Sequence, residues 1–81
     1  MIEIKSPLTG IFYIALAPDA KPFTEKGNCF KEGDVLCIIE AMKMLNEITA
    51  RHNGRIVEIC AQNDSLVQAE QVLFVICEDT D

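Results

Sequence analysis

The chain repeats itself, and this internal duplication restricts its fold more than any other feature of the sequence. Residues 2–12 (IEIKSPLTGIF) align with residues 46–56 (NEITARHNGRI), which places Gly10 on Gly54 at an offset of 44 residues. We expect Gly54 to lie in a turn with positive φ, so Gly54→Val should destabilise the protein because valine is strained in that conformation.

A second pair of segments aligns nearer the end of each copy. Residues 30–39 (FKEGDVLCII) match residues 67–76 (VQAEQVLFVI) without a gap, at an offset of 37 residues. A gap of two residues also brings Asn28 onto Asn63. The difference between the two offsets means that the first copy holds about seven extra residues between its aligned blocks.

Both copies consist of short apolar runs that favour β-strands. These runs are rich in Val, Ile and Phe and are separated by glycine, proline and asparagine turns. They cover residues 2–4, 11–16, 35–39, 56–60 and 72–76. We therefore predict an all-β sandwich or barrel, in which two sheets are related by a pseudo-twofold axis and bury their apolar faces against each other.

Length and charge argue against several classes of protein. Eighty-one residues form one small domain, which rarely encloses a deep active-site pocket. The formal net charge of −6 and the lack of a basic patch argue against a nucleic-acid partner. No apolar run approaches the roughly 20 residues that cross a membrane. No catalytic triad, phosphate loop or metal-ligand cluster can be assembled, and the single histidine, His52, lies in a polar turn.

The four cysteines are predicted to be reduced and structural. Cys37 and Cys77 lie in apolar runs, where a free thiol packs as a small hydrophobic group. No CxxC pair supports a zinc site. Reduced thiols indicate a reducing compartment.

The junction between the copies is the pentapeptide Glu40-Ala41-Met42-Lys43-Met44. Its residues favour a helix, but one copy ends there and the next begins, so we expect a tight hairpin. Hairpin turns prefer glycine, asparagine or aspartate, and this one has none of them. A turn built against local preference indicates selection for another property, and the candidate is an exposed lysine between two methionines.

The pentapeptide and its surroundings resemble the biotinyl domains of biotin carboxyl carrier proteins. The EAMKM motif is the biotin-attachment sequence of that family, and the resemblance includes segments 5–13 (KSPLTGIFY), 18–21 (PDAK) and 33–39 (GDVLCII). It implies one biotinyl domain over residues 1–81. The implied fold is a flattened β-barrel or sandwich of two four-stranded antiparallel sheets, with a biotin hairpin at residues 40–45.

The resemblance also implies a carrier function with no catalytic residues and no metal. A biotin protein ligase would join biotin to the Lys43 amine through an amide bond. The implied motif and ligase-recognition residues are Glu40, Ala41, Met42 and Met44. Biotin would carry a carboxyl group from biotin carboxylase to carboxyltransferase of acetyl-CoA carboxylase, giving malonyl-CoA for fatty-acid synthesis. The implied compartment is a bacterial cytoplasm or a plastid stroma.

The extra residues of the first copy correspond to the thumb, an insertion found in carriers of bacterial and plastid acetyl-CoA carboxylase. We expect the thumb to comprise Ala15, Leu16, Ala17, Pro18, Asp19, Ala20, Lys21 and Pro22. Its two prolines fix φ and stiffen the insertion. Family members often begin the thumb with a hydroxyl residue that can hydrogen-bond the biotin ring, which Ala15 cannot do.

Three other functions fit parts of the sequence. A lipoyl domain shares the implied fold and the tip lysine, but it usually has aspartate before the lysine and alanine after it. A biotinyl domain of another carboxylase or decarboxylase is distinguished by the thumb, which most such domains lack. An interaction module with an unmodified lysine would accept biotin from no ligase.

Overall fold

The computed structural model describes residues 1–79; Thr80 and Asp81, the end of the predicted domain, lie outside the described residues. Eight strands form two four-stranded antiparallel sheets, which confirms the predicted fold class. The strands are β1 (Ile2–Lys5), β2 (Gly10–Tyr13), β3 (Cys29–Phe30), β4 (Val35–Ala41), β5 (Met44–Thr49), β6 (Gly54–Ile59), β7 (Ser65–Val67) and β8 (Val72–Glu78). Within residues 1–79, no helix is long and apolar enough to cross a membrane.

The strand order obeys the predicted pseudo-twofold symmetry. Sheet A has the order β1-β8-β6-β3, and sheet B has the order β5-β4-β2-β7. The equivalent strands of the two copies are β1 and β5, β2 and β6, β3 and β7, and β4 and β8. If each strand is replaced by its equivalent, the order of sheet A becomes that of sheet B. Each sheet therefore contains strands of both copies, and neither copy forms a sheet of its own.

Backbone hydrogen bonds repeat with the same symmetry. The amide of Gly33 donates to the carbonyl of Ala50 at 2.8 Å. At the equivalent positions of the other copy, the amide of Glu70 donates to the carbonyl of Ser6, also at 2.8 Å. Gly33 and Glu70 both have positive φ, at 93° and 73°. The duplication is thus a property of the backbone as well as of the sequence.

The predicted match of Asn28 with Asn63 is wrong. The equivalent residues are the one before Asn28 and the one after Asn63. The amides of Gly27 and Asp64 donate equivalent hydrogen bonds, of 2.8 and 2.7 Å, to carbonyls of β6 and β2. Both residues have positive φ, at 89° and 64°. They are therefore equivalent without any gap, and all extra residues of the first copy precede Gly27.

The reason predicted for the sensitivity of Gly54 is also wrong. Gly10 and Gly54 begin β2 and β6, and neither has positive φ. A Cβ atom at Gly54 would lie 2.5 Å from the carbonyl oxygen of Cys77, and one at Gly10 would meet the carbonyl oxygen of Glu40. Both glycines are required because a neighbouring strand passes too close for a side chain.

The core lies between the sheets and draws equivalent residues from both copies. Leu36 and its counterpart Leu73 are at most 1% exposed. The rings of Phe12 and Phe74 meet in the core with centroids 6.0 Å apart and planes tilted by 56°, a favourable aromatic geometry. Strand β2 ends at Tyr13, so the predicted run 11–16 is too long.

All four cysteines are free, but the structural role predicted for them fits only Cys37, because the other three are exposed. Cys37 is fully buried in the core, and burial raises the pKa of its thiol to about 12. Cys77 is exposed and pairs with Arg55 across β8 and β6. The packing expected for Cys77 is therefore wrong, because strand alternation directs this residue to the outer face of sheet A.

Candidate functional site

Strands β4 and β5 are joined by a turn of only two residues, Met42 and Lys43. Ala41 pairs with Met44 on either side of it. Both turn residues have positive φ, 51° for Met42 and 65° for Lys43. This is the type I′ arrangement, which matches the twist of the flanking strands. Residues 40–45 thus form a hairpin and not a helix.

The turn is strained because neither residue is suited to it. A left-handed conformation costs about 1–2 kcal/mol for a residue with a Cβ, and type I′ turns normally use asparagine or glycine. Pairing along β4 and β5, from Val35 with Thr49 to Ala41 with Met44, holds the turn closed. The hairpin therefore holds at its tip two residues whose backbone conformation costs free energy.

The side chains at the tip are directed into solvent. Met42 is 94% exposed and Met44 is 66% exposed, so neither packs beneath the turn. Lys43 is also exposed. Among residues 1–79, no hydrogen bond or ion pair engages the Lys43 amine. A compact amine on a flexible stem is free to reach another protein, with two apolar side chains beside it for that protein to contact.

Glu40 is held by a residue that the sequence did not reveal as part of the site. The Tyr13 hydroxyl donates a hydrogen bond of 3.0 Å to Oε1 of Glu40. This bond raises the pKa of Tyr13, and burial and the negative charges of Glu40 and Asp64 add to the effect. The only signal was that Tyr13 is the single tyrosine; its contact with Glu40, a diagonal neighbour on β4, depends on strand register.

Asn46 ties the base of the hairpin together and was also missed. Its side-chain amide donates a hydrogen bond of 3.2 Å to the carbonyl of Ile39 on the adjacent strand. Ile39 is fully buried in the core. The bond therefore links the two strands of the hairpin at a position where β4 packs into the core.

The segment between β2 and β3, residues 14–28, contains the predicted thumb 15–22. No part of it is a strand. It closes on itself where the amide of Phe23 donates to the carbonyl of Ile14 at 2.7 Å. Among residues 1–79, no hydrogen bond or ion pair joins this segment to the hairpin turn.

A tight turn shapes the predicted thumb. The amide of Ala20 donates to the carbonyl of Ala17 at 3.0 Å, with Pro18 in the second position, where its fixed φ suits a turn. Ala15 is buried at the start of the segment, whereas Leu16 is 74% exposed. The segment predicted to be the thumb thus carries an exposed apolar side chain next to a buried alanine.

A groove of about 560 Å³ lies between the edge strands β1 and β5. Its lining includes the equivalent pairs Glu3 with Glu47 and Ile4 with Ile48, so it follows the pseudo-twofold relation of the two strands. The lining contains no residue of the hairpin turn. This groove is therefore a feature separate from the exposed lysine.

The hairpin fits a covalently attached group better than a bound one. Within the described residues, no enclosing wall surrounds the exposed Lys43, and the neighbouring side chains of Met42 and Met44 project outward. An amine in this position can form an amide without disturbing the core. Reversible binding of a small molecule would instead need a concave pocket lined by several convergent groups.

Comparisons with known proteins agree with this geometry. A family model described as "Biotin-requiring enzyme" matches residues 2–76. The chain is 47% identical over 76 residues to the biotin carboxyl carrier protein of acetyl-CoA carboxylase from Cyanidium caldarium, covering 94% of the chain and 50% of that protein. It is 45% identical over 73 residues to the protein of the same name from Pseudomonas aeruginosa, covering 90% of the chain and 47% of that protein.

The chain thus spans about half the length of these relatives. A solved structure described as a single-chain, multi-domain long-chain acyl-CoA carboxylase superimposes with a TM-score of 0.83 and 20% sequence identity. The match covers 98% of this chain and 7% of that one. At this level of identity the superposition establishes the fold alone.

Proposed function

The chain belongs to the biotin-requiring enzyme family, and we propose from this membership that it is the biotinyl domain of a biotin carboxyl carrier. In this role it serves acetyl-CoA carboxylase, carrying carboxyl groups between biotin carboxylase and carboxyltransferase for the synthesis of malonyl-CoA and fatty acids. The names of the two carrier relatives support the choice of acetyl-CoA carboxylase. Biotin is the cofactor that the family match and these relatives imply.

Lys43 is the residue to which we assign biotin, and the strained hairpin carries this assignment. Its turn keeps an exposed lysine where asparagine or glycine would cost less free energy. Biotin, when bound, supplies a ureido nitrogen that takes up and releases a carboxyl group. The lysine and biotin chains together span roughly 14 Å, which follows from summing extended bonds. A small domain with such an arm can serve two active sites in turn.

The residues beside Lys43 are assigned to recognition by the biotin protein ligase. Met42 and Met44 are exposed apolar side chains that the fold does not use for packing. Glu40 and Ala41 lead into the turn from β4 and set its position. We assign no catalytic residue to the domain, since proton transfer and carboxyl transfer belong to its partner enzymes.

The thumb at residues 15–22 is proposed to contact those partners. The pseudo-twofold symmetry leaves it without a counterpart in the second copy, so the sandwich does not need its extra length. Its exposed Leu16 offers an apolar contact. Free thiols agree with a reducing compartment, and we propose a bacterial cytoplasm or a plastid stroma.

Intact-mass analysis tests the assignment of Lys43 directly. The protein is incubated with biotin, ATP and a biotin protein ligase, and we expect a single biotin adduct. Lys43→Ala should abolish the adduct, whereas Lys21→Ala, which removes another exposed lysine, should leave it unchanged. An adduct that persists in Lys43→Ala would refute the assignment, and a wild-type protein that accepts no biotin would favour the unmodified interaction module.

A further inference from the structure

The hydrogen bond between Tyr13 and Glu40 lies on the outer face of sheet B, close to the hairpin. Phe12 and Ile39, the chain neighbours of these two residues, pair with each other and are fully buried in the core. Because successive side chains of a strand alternate between faces, Tyr13 and Glu40 point away from the core. Both side chains are half-buried, and 3.0 Å separates Oη from Oε1.

The second copy of the repeat lacks an equivalent of this pair. The equivalents of Tyr13 and Glu40 are Val57 and Cys77, which lie on β6 and β8. No hydrogen bond joins these two side chains in residues 1–79. The register of β6 with β8 also shifts at Val57, between Ile56 and Glu58, whereas β2 and β4 stay in register through Tyr13. Within residues 1–79, the hydrogen bond is thus specific to the copy that leads into the lysine hairpin.

The Glu40 carboxylate has no basic partner on its own sheet. The strands of sheet B (GIFY, VLCIIEA, MLNEIT and SLV) contain no lysine or arginine. Leu45, which pairs with Glu40, is 62% exposed, and the other cross-strand neighbour is Ile11. A carboxylate can accept about four hydrogen bonds, so the bond from Tyr13 leaves most of this capacity free. The surroundings suit a protein surface that presents a basic group among apolar ones.

We propose that Tyr13 is a positioning residue for biotin attachment, which fixes the Glu40 carboxylate to receive a basic side chain of the enzyme that modifies Lys43. The inference rests on the proposed function and adds to it a residue outside the attachment motif. A glutamate that samples several rotamers loses side-chain conformational entropy when it binds a partner. A glutamate held by a hydrogen bond has already lost that entropy before binding. The bond to an incoming guanidinium or ammonium group is charge-assisted and therefore strong.

Steady-state kinetics of biotinylation test this role. Apo forms of the wild type, Tyr13→Phe, Glu40→Gln and the double variant are assayed with a purified ligase at saturating biotin and ATP. We expect Tyr13→Phe to raise KM for the protein by about three- to tenfold, the range for one hydrogen bond, and to leave kcat within about twofold. The double variant should be no worse than Glu40→Gln, because Tyr13 acts through Glu40.

Ser6→Ala is the matched control, since it also removes one hydroxyl with a hydrogen bond, at 2.7 Å to the carbonyl of Leu8. The equivalent of Ser6 in the second copy is Ala50, so the fold accepts alanine there. We expect its KM to equal that of the wild type. An unchanged KM in Tyr13→Phe would overturn this inference but not the proposed function. The same holds if the effects of Tyr13→Phe and Glu40→Gln on KM multiply in the double variant. A wild type that accepts no biotin would overturn the proposed function with it.

Discussion

The two residues at the hairpin tip lower the stability of the turn that they form. Met42 and Lys43 both occupy the left-handed region, where the sequence offers neither asparagine nor glycine. The residues that give the site its proposed chemistry are thus the ones that local preference would replace. Their strain was predictable from the sequence once the repeat had located the junction, because no residue of the pentapeptide suits a two-residue turn.

Lys43→Gly is expected to stabilise the protein. Glycine adopts positive φ without the Cβ penalty, and this gain should exceed the extra entropy of the unfolded chain, for a net increase of about 0.5–1 kcal/mol. Urea unfolding measures the free energy difference. Lys21→Gly is the control, because Lys21 has no positive φ and should gain nothing. Equal losses of stability in both variants would contradict the strain described here.

Strand register determines which residues face the core and which contact each other across a sheet. The register could not be read from the sequence. The apolar run around Cys77 resembles that around Cys37, yet one thiol is exposed and the other buried. A continuous apolar run does not indicate which of its alternate residues face the core. The bond between Tyr13 and Glu40 was hidden for the same reason, since it follows from the pairing of β2 with β4.

At the scale of strands, the apolar runs predicted most of the longer elements but not β5 or the two shortest strands. The repeat and the apolar runs located β1, β4, β6 and β8 to within a few residues. Strands β3 and β7 are only two and three residues long, and their sequences CF and SLV carry no periodic signal. Their pairing with β6 and β2 is set by the surrounding turns and by the core, which are properties of the folded chain.

Two glycines at the start of strands should be equally sensitive to substitution. Gly10→Ala and Gly54→Ala each place a Cβ against a backbone carbonyl of the adjacent strand, so we expect each to cost about 1–3 kcal/mol. Gly33→Ala is the control: it has open space around its Cβ and positive φ, and should cost about 1 kcal/mol. Thermal unfolding compares the three variants. A smaller loss at Gly10 or Gly54 than at Gly33 would contradict the close approach.

At the scale of the whole molecule, the interleaving of the two copies makes the domain a single cooperative unit. Strands β1 and β3 of the first copy pair with β8 and β6 of the second. The core is likewise shared, with Phe12 from one copy against Phe74 from the other. The sequence predicted the duplication and the two sheets. It left open whether each sheet is one copy or a mixture of both, because a repeat alone does not determine strand pairing.

Separated copies are expected to remain unfolded. A peptide of residues 1–42 retains only the pairing of β2 with β4, and two strands with half a core are marginal at best. Circular dichroism during heating should find no cooperative transition for this peptide or for residues 43–81. An equimolar mixture should recover sheet content, because all strand partners are then present. A cooperative transition in either peptide alone would contradict the shared core.

The end-to-start fusion of two equivalent units has a stoichiometric consequence. The hairpin lies where the first unit runs directly into the second, with Ala41 paired to Met44, whereas at the symmetry-related end of the sandwich β1 pairs with β8 without a turn between them. Within residues 1–79, a nearly symmetric backbone thus carries the lysine hairpin at one end of the sandwich. With biotin on Lys43, as proposed, one such domain presents a single cofactor and therefore serves one active site at a time.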